Sequence, residues 1–389
     1  MENLHKMIYI PRIAGERIKE YVKVFPVVGL TGPRQSGKST LVREILKDSF
    51  RYVSFDDFSV RQHFHDDPVR FMKTWDDHVI FDEAQQVPDL FPLLKMNVDA
   101  DRQKYGRFVV TGSGQFVLNR NISESLAGRI GLVTLLPFQY GEIPDHLKAD
   151  SIFAGSYPEI VIRDYSFSTQ WYQAYLETYL QKDLRQLTNI GDLAAFTTFI
   201  RLLAAQTGQI LNLSELSRNI GVAVNTLNRW LSVLESSFIV FRLQPYYRNL
   251  GKRLIKSPKV YFYDTGLVSL LTGIENRQDW ERGIMYGAIF ENYLISELVK
   301  RKYHENLRVD FYYFRSSHGE EMDLIVDKGT SFDTVEIKAT MTWRPDHLKV
   351  LKRYLGEAGH ARLVYQGQTM TEVDNLQVIN YQDYLSLPV

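Results

Sequence analysis

A chain of 389 residues is longer than one ordinary hydrophobic core can hold together, so its length predicts two or three domains. Its 44% hydrophobic and 24% charged residues are the composition of a soluble globular protein, and 46 Lys plus Arg against 46 Asp plus Glu leave no global charge to attract a nucleic acid or a membrane; any such partner has to be met by a local patch. The absence of cysteine excludes a disulfide framework, a Cys-ligated zinc and a thiol nucleophile.

The N-terminal run Met-Glu-Asn-Leu-His-Lys-Met-Ile-Tyr-Ile carries an acid and lacks a long apolar stretch ending in small residues, which argues against a secretory signal. No window approaches the roughly 18 apolar residues of a membrane-spanning helix. The expectation is a cytoplasmic protein without a membrane partner.

Phe25 to Thr31 reads as a short buried strand, and Thr40 to Lys47 places Leu41, Ile45 and Leu46 at helical spacing. Between them lies G-P-R-Q-S-G-K-S, a match to G-x-x-x-x-G-K-[ST]. Glycines at Gly32 and Gly37 let consecutive backbone N–H groups curl around phosphate oxygens, with the positive end of the following helix aimed at them. On this pattern Gly32, Pro33, Arg34, Gln35, Ser36, Gly37, Lys38, Ser39 and Thr40 hold ATP. Lys38 reaches the β- and γ-phosphates, the Ser39 hydroxyl ligates Mg²⁺, and Thr40 adds polar support. The competing reading is a turn of small residues that matches by chance.

Tyr52 to Phe55 reads as a second strand, His78 to Phe81 as a third ending in Asp82-Glu83, and Arg107 to Thr111 as a fourth ending in Gly112-Ser113-Gly114. Apolar strands separated by helical material predict a parallel sheet covered on both faces. Carboxylates at the C-terminal end of such a strand stand where open α/β sheets bind ligands. Asp82 is placed to hold the Mg²⁺ through water, and Glu83 to polarise the water attacking the γ-phosphate. A polar group closing the fourth strand would sense nucleotide state, with Ser113 the first candidate and Thr111 the second.

T-G-P-R-Q-S-G-K-S-T, I-F-D-E-A-Q-Q-V-P-D-L, V-T-G-S-G-Q-F, S-E-S-L-A-G-R-I and L-L-P-F together resemble the AAA-type ATPases of bacteria and archaea that carry a C-terminal domain of unknown function. The likeness extends to R-L-I-K-S-P-K-V-Y-F-Y-D-T-G-L, F-E-N and E-I-K. In AAA-type ATPases an arginine often completes the site from a neighbouring subunit. The resemblance carries that role onto Arg129, with Arg34 and Arg120 as rivals, and implies a homo-oligomer.

After Pro137, Trp171, Tyr172, Tyr175, Leu176, Tyr179 and Leu180 recur at helical spacing, which reads as core packing. From Leu213 two short helices joined at Ile220-Gly221-Val222 fit a helix-turn-helix, with Leu213, Leu216, Ile220, Val224, Leu227, Leu231 and Leu234 inward. The second helix offers Asn225, Thr226, Asn228 and Arg229 outward. Runs Phe238 to Leu243 and Lys259 to Tyr263 complete a winged helix. Between them Arg242, Arg248, Lys252, Arg253, Lys256 and Lys259 occur without an acid, beside Tyr246 and Tyr247, which is the footprint of a double-stranded DNA binder. Winged helices also serve as protein-docking modules and as lids over AAA sites.

Ile284 to Lys300 reads as an amphipathic helix bearing Glu291, Met322 to Val326 as a strand bearing Asp323, and Thr334 to Ala339 as a strand bearing Glu336 and Lys338 on one face, after a hairpin at Lys328-Gly329-Thr330. The order resembles restriction-endonuclease-like folds, in which Asp and Glu bind Mg²⁺ and a Lys activates water. A second Mg²⁺ site on Glu291, Asp323 and Glu336, with Lys338, is therefore an expectation, and an inactive scaffold its rival.

The predicted architecture is α/β: an AAA+-like P-loop NTPase domain with a parallel sheet over 1–145, a helical linker over 146–190, a winged helix over 191–278 and a nuclease-like α/β domain over 279–389. Two functions fit. One is an ATPase whose Mg²⁺-dependent hydrolysis drives an arm that contacts nucleic acid through Asn225, Arg229, Arg248, Lys252, Arg253 and Lys256. The other is a nucleotide-gated docking switch.

Overall fold

The computed structural model describes residues 9–112, 125–187, 192–246, 257–316 and 319–388, with the backbone alone described over 179–187. The first sheet comprises β1 (Val27–Thr31), β2 (Arg51–Ser54), β3 (Val79–Asp82), β4 (Phe108–Thr111) and β5 (Ile130–Thr134). Their spatial order is β2-β3-β4-β1-β5, and every neighbouring pair is parallel. Because strand side chains alternate, Val27, Phe81, Phe108 and Val110 pack on one face against Phe64, Phe71, Leu90 and Leu94. Val28, Ile80, Val109 and Val133 pack on the other against Ile18, Leu41 and Val42. A sheet buried on both faces requires continuous apolar runs, which β1, β3 and β4 carry, while β2 at the edge buries only Val53.

β5 is the strand the sequence concealed. Gly131 in its centre weakens the strand pattern. It is required there because a Cβ would lie 2.5 Å from the Phe25 ring and 2.6 Å from the Tyr21 ring.

A second, mixed sheet comprises β6 (Val240–Pro245), β7 (Lys259–Phe262), β8 (Asp310–Arg315), β9 (Glu321–Asp327), β10 (Phe332–Ile337), β11 (Ala361–Tyr365) and β12 (Leu376–Asn380), in the order β12-β11-β10-β9-β8-β6-β7. The helix-turn-helix forms from Leu213–Ile220 and Val224–Ser236, with Gly221 turning between them at φ 78°. Leu216, Leu227, Leu231 and Leu234 face inward, joined by Trp230, which packs on Phe196 and Phe199. β6 and β7 pair antiparallel, as a wing should. β6 then runs on beside β8, pairing Gln244 with Tyr312 and Pro245 with Tyr313, so the hairpin is also an integral part of the C-terminal sheet.

Side chains from Phe138, Tyr172, Phe199, Leu227, Val260, Phe290, Tyr313 and Leu385 belong to one hydrophobic cluster. The three segments expected to follow residue 145 thus share a core. Its axis is the 20-residue helix Tyr286–Glu305, buried over most of its length, whose positions 291 and 304 lie roughly 20 Å apart. No helix among the described residues is long and apolar enough to cross a membrane.

Candidate functional site

β1 lies between β4 and β5 and delivers the loop 32–37 at its C-terminal end. Gly32 has φ 142°, and a Cβ there would come within 2.0 Å of the Leu135 carbonyl oxygen; Gly37 has φ 90°. Only glycine meets both demands. Gly37 also caps the helix Lys38–Leu46 without a side chain, which leaves the first N–H groups of that helix directed toward the loop. The Ser36 hydroxyl donates to the Pro33 carbonyl at 3.0 Å, and the Lys38 ammonium donates to the Gly32 and Pro33 carbonyls at 3.0 and 2.7 Å. The lysine therefore lies across the cradle.

β4 stands between β1 and β3, so the ends of all three strands converge. The buried Asp82 carboxylate accepts from the Ser39 hydroxyl at 2.9 and 3.0 Å, from the Tyr52 hydroxyl at 2.6 Å and from the Thr111 hydroxyl. Burial, then the hydrogen bond to Asp82, pushes the Tyr52 hydroxyl above its ordinary pKa, so it remains a donor. A carboxylate and a hydroxyl in contact are hard oxygen donors of the kind Mg²⁺ takes, alongside water and phosphate. Ser39 and Asp82 fit that ion.

Glu83 follows with φ 53° and ψ 41°, a left-handed conformation rare outside glycine, and its carboxylate accepts from the Gln85 amide. Of the two sensor candidates, Thr111 is brought onto Asp82, whereas Ser113 lies outside the described residues. Tyr52 was not anticipated. It reaches Asp82 because β2 lies beside β3, a register that no local motif encodes.

Arg129 is not at its own chain's loop. It precedes β5, whose first residue pairs with Val27, whereas the loop leaves β1 beyond Thr31 at the other end. Its guanidinium is spent on a bidentate pair with Asp99, at 2.8 and 3.0 Å, and this bond above all holds the Asp99 carboxyl below its usual range. Within one chain, then, Arg129 does not reach the loop, and the role carried onto it is one toward a neighbouring subunit. Arg34 lies in the loop itself, and Arg120 is outside the described residues. A pocket of about 650 Å³ opens beside the loop, walled by Gln35, Gly37 and Thr40 on one side and by Ile10, Phe138 and Trp171 on the other.

The second constellation assembles around lysines. Lys338 Nζ lies 2.5 Å from Glu336 Oε1 and 3.6 Å from Asp323 Oδ2, and Asp323 also accepts from the Ile337 N–H at 2.8 Å. Glu291 accepts from the Tyr261 hydroxyl at 2.6 Å and from Lys259 at 3.2 Å, and Lys259 reaches Glu321 at 2.6 Å. Lys259 and Tyr261 belong to the run expected to form the wing, and Glu321 carried no motif. Burial works to lower the pKa of Lys259, but Glu291, Asp323 and Glu321 outweigh it and raise it.

Of the carboxylates expected to hold a second Mg²⁺, Asp323 and Glu336 have the expected Lys338 beside them and Glu291 has Lys259; among the described residues no three acidic or histidine groups are grouped so as to hold a metal ion.

Burial, then the charge of Asp323, pushes the Glu336 carboxyl up to about 8. Between the carboxylate's unfolded value and about 8 the folded chain holds a proton that the unfolded chain releases, so this group's contribution falls as pH rises. Its slope is at most ~1.4 kcal/mol per pH unit. Denaturant titrations from pH 5 to 8 should show wild-type stability declining more steeply than that of Glu336→Gln; parallel curves would remove Glu336 as the source.

On the helix-turn-helix, Asn225, Asn228 and Arg229 are exposed and Thr226 is half-buried. The basic patch is smaller than its sequence suggests. Arg242 is paired with Glu235 at 2.6 and 2.8 Å, and Lys259 is buried in the acid cluster. Arg248, Lys252, Arg253 and Lys256 lie outside the described residues.

Three family patterns match the chain: an AAA domain over residues 24–144, a domain of unknown function (DUF8612) over 146–278 and a second one (DUF4143) over 286–384. The uncharacterized protein Rv2008c of Mycobacterium tuberculosis is 34% identical over 366 residues, covering 93% of this chain and 81% of the relative. The uncharacterized protein MJ1544 of Methanocaldococcus jannaschii is 22% identical, covering 78% of this chain and 73% of its own. Among solved structures, the Walker-type ATPase PABY2304 of Pyrococcus abyssi aligns at a TM-score of 0.49 and 14% identity, over 70% of this chain and 98% of its own.

Proposed function

The chain belongs to the AAA-type P-loop ATPases that carry a C-terminal domain of unknown function, and from that premise we propose that it binds ATP at residues 32–40 and hydrolyses it with Mg²⁺. The observation that carries this reading is the Asp82 carboxylate, which ties the loop's Ser39 to the ends of β2, β3 and β4. The flat apolar wall of Trp171 and Phe138 suits the adenine ring, and the loop's N–H groups suit the phosphates. Mg²⁺, when bound, would supply neutralisation of the charge developing on the phosphates. Ser39 and Asp82 would hold it, Lys38 would meet the phosphates, and Glu83 would orient the attacking water. Phosphate release from ATP should be measurable in the wild type and lost in Lys38→Ala. Equal release by both would overturn the reading.

The nucleic-acid role rests on Asn225, Asn228 and Arg229 exposed along one helix. If the arm binds duplex DNA, DNA raises ATP turnover severalfold, and Arg229→Ala lowers the salt slope of binding by about 1. Turnover indifferent to DNA, with an unchanged slope, favours the docking switch instead. The Lys259 ammonium set between Glu291 and Glu321 supports that second reading for the C-terminal domain, as a scaffold.

A further inference from the structure

Arg12, from the segment preceding the first helix, is 7% exposed and makes two hydrogen bonds and one ion pair. One Nη donates to the Ser36 carbonyl of the nucleotide loop at 2.7 Å, the other to the Leu136 carbonyl at 2.7 Å, and Nε faces Glu142 Oε2 at 3.1 Å. The guanidinium also lies over the Phe138 ring, 4.7 Å from its centroid. A planar fork with fixed donor directions can hold three backbone and side-chain oxygens in one arrangement, which a flexible ammonium cannot. Two of the three contacts fix the fork, and the third fixes the loop.

What fixes those two partners is the C-terminal helix. His304 Nε2 accepts from the Leu136 N–H at 3.0 Å, which puts the ring proton on Nδ1, facing Gln139 Oε1 at 3.1 Å. Burial holds this imidazole at a pKa of about 3, so it stays neutral and keeps that tautomer. The Gln139 amide in turn donates to Glu305 Oε1 at 2.8 Å. Glu142, buried beside His304, accepts from the Gln139 N–H at 2.9 Å and from the Ile13 N–H at 2.7 Å. Arg301 of the same helix pairs with Glu305 at 3.2 Å and donates to the Leu385 and Leu387 carbonyls at 3.1 and 2.8 Å. Buried polar groups tied in this way hold one another in a single arrangement.

We infer that Arg12 is a positioning residue for the nucleotide loop and that the helix Tyr286–Glu305, through His304, holds Arg12 in place, so that the nucleotide site is completed from the C-terminal part of the chain. This rests on the ATP-binding reading above. None of these residues is carried by the loop motif or by Asp82-Glu83. The connection also gives the C-terminal part a physical route to the loop, since a shift of the helix end moves Leu136 and Gln139, and with them the Arg12 fork.

The test compares KM and kcat for MgATP, and melting temperature, in the full-length wild type, Lys38→Ala, Arg12→Lys, His304→Ala and His304→Gln. Arg12→Lys keeps the charge but loses the fork. It should raise KM about tenfold while kcat at saturation falls less than about threefold, because bound nucleotide reforms the loop. His304→Ala should raise KM similarly. His304→Gln, whose amide oxygen can accept from the Leu136 N–H, should recover most of the loss. A fall in melting temperature with KM unchanged in Arg12→Lys or His304→Ala overturns the inference, as does a His304→Gln no better than a folded His304→Ala. Should His304→Ala not fold, a double-mutant cycle of Arg12→Lys with Gln139→Ala, which removes the acceptor facing the His304 ring proton, replaces it: non-additive KM effects support the relay and additive ones overturn it. Loss of activity in Lys38→Ala alone would leave the ATP-binding reading standing without this inference. A wild type that neither binds nor turns over MgATP overturns both.

Discussion

Glu83→Gln should leave MgATP binding within about threefold of wild type and lower hydrolysis by roughly 10²–10⁴-fold. The substitution is nearly isosteric, and an amide oxygen can still accept from the Gln85 side chain, so the turn after β3 keeps its shape. Lys38, Ser39 and Asp82, the groups assigned to phosphate and metal, are untouched. What is lost is the negative charge that orients and polarises water. The left-handed backbone at Glu83 supports this assignment, because such strain costs of order 1–3 kcal/mol and persists where the surroundings impose it. A binding titration beside a phosphate-release assay separates the two effects. Turnover retained in a folded variant would take Glu83 out of the reaction.

The largest stability effect is expected at Lys259. Only 2% exposed, its ammonium stands between Glu291 and Glu321. Lys259→Met fills the same space and leaves a buried carboxylate without its counter-charge, a change that costs about 3–5 kcal/mol. Glu291 is already raised above its ordinary value by burial, and losing the lysine raises it further. The folded variant therefore binds a proton that the unfolded chain does not, and its stability falls as pH rises. The deficit against wild type should be larger at pH 8 than at pH 5 in thermal melts. Adding Glu291→Gln should recover much of it. A deficit that is the same at both pH values would mean that lost packing, and not the stranded charge, is responsible.

Much of the nucleotide site was readable because its signals are local. The loop, its flanking strand and helix, and the apolar run ending in Asp82-Glu83 each declare themselves within a dozen residues. Tyr52, Arg12 and Lys259 were invisible for the opposite reason: each acts on a residue far away in sequence, through strand register or helix packing. That Arg129 stands away from its own chain's loop follows from β5, since reading Ile130–Thr134 as a parallel strand puts the arginine at the far end. Composition also misjudged the wing. A tally of basic residues cannot tell that Arg242 has an acid beside it or that Lys259 points into the core.

The pairing of β6 with β8 bears on how the chain could have been assembled. A free wing can be lengthened, traded or lost without disturbing its neighbours, whereas a strand that supplies hydrogen bonds to the next sheet cannot. Cutting the chain at the hinge between those strands would leave β8 with bare N–H and C=O groups along one side and an apolar surface with nothing against it. From Phe138 onward, then, the hairpin and the sheet share hydrogen bonds and one core, and a change that suits the hairpin has to be tolerated by the sheet it completes.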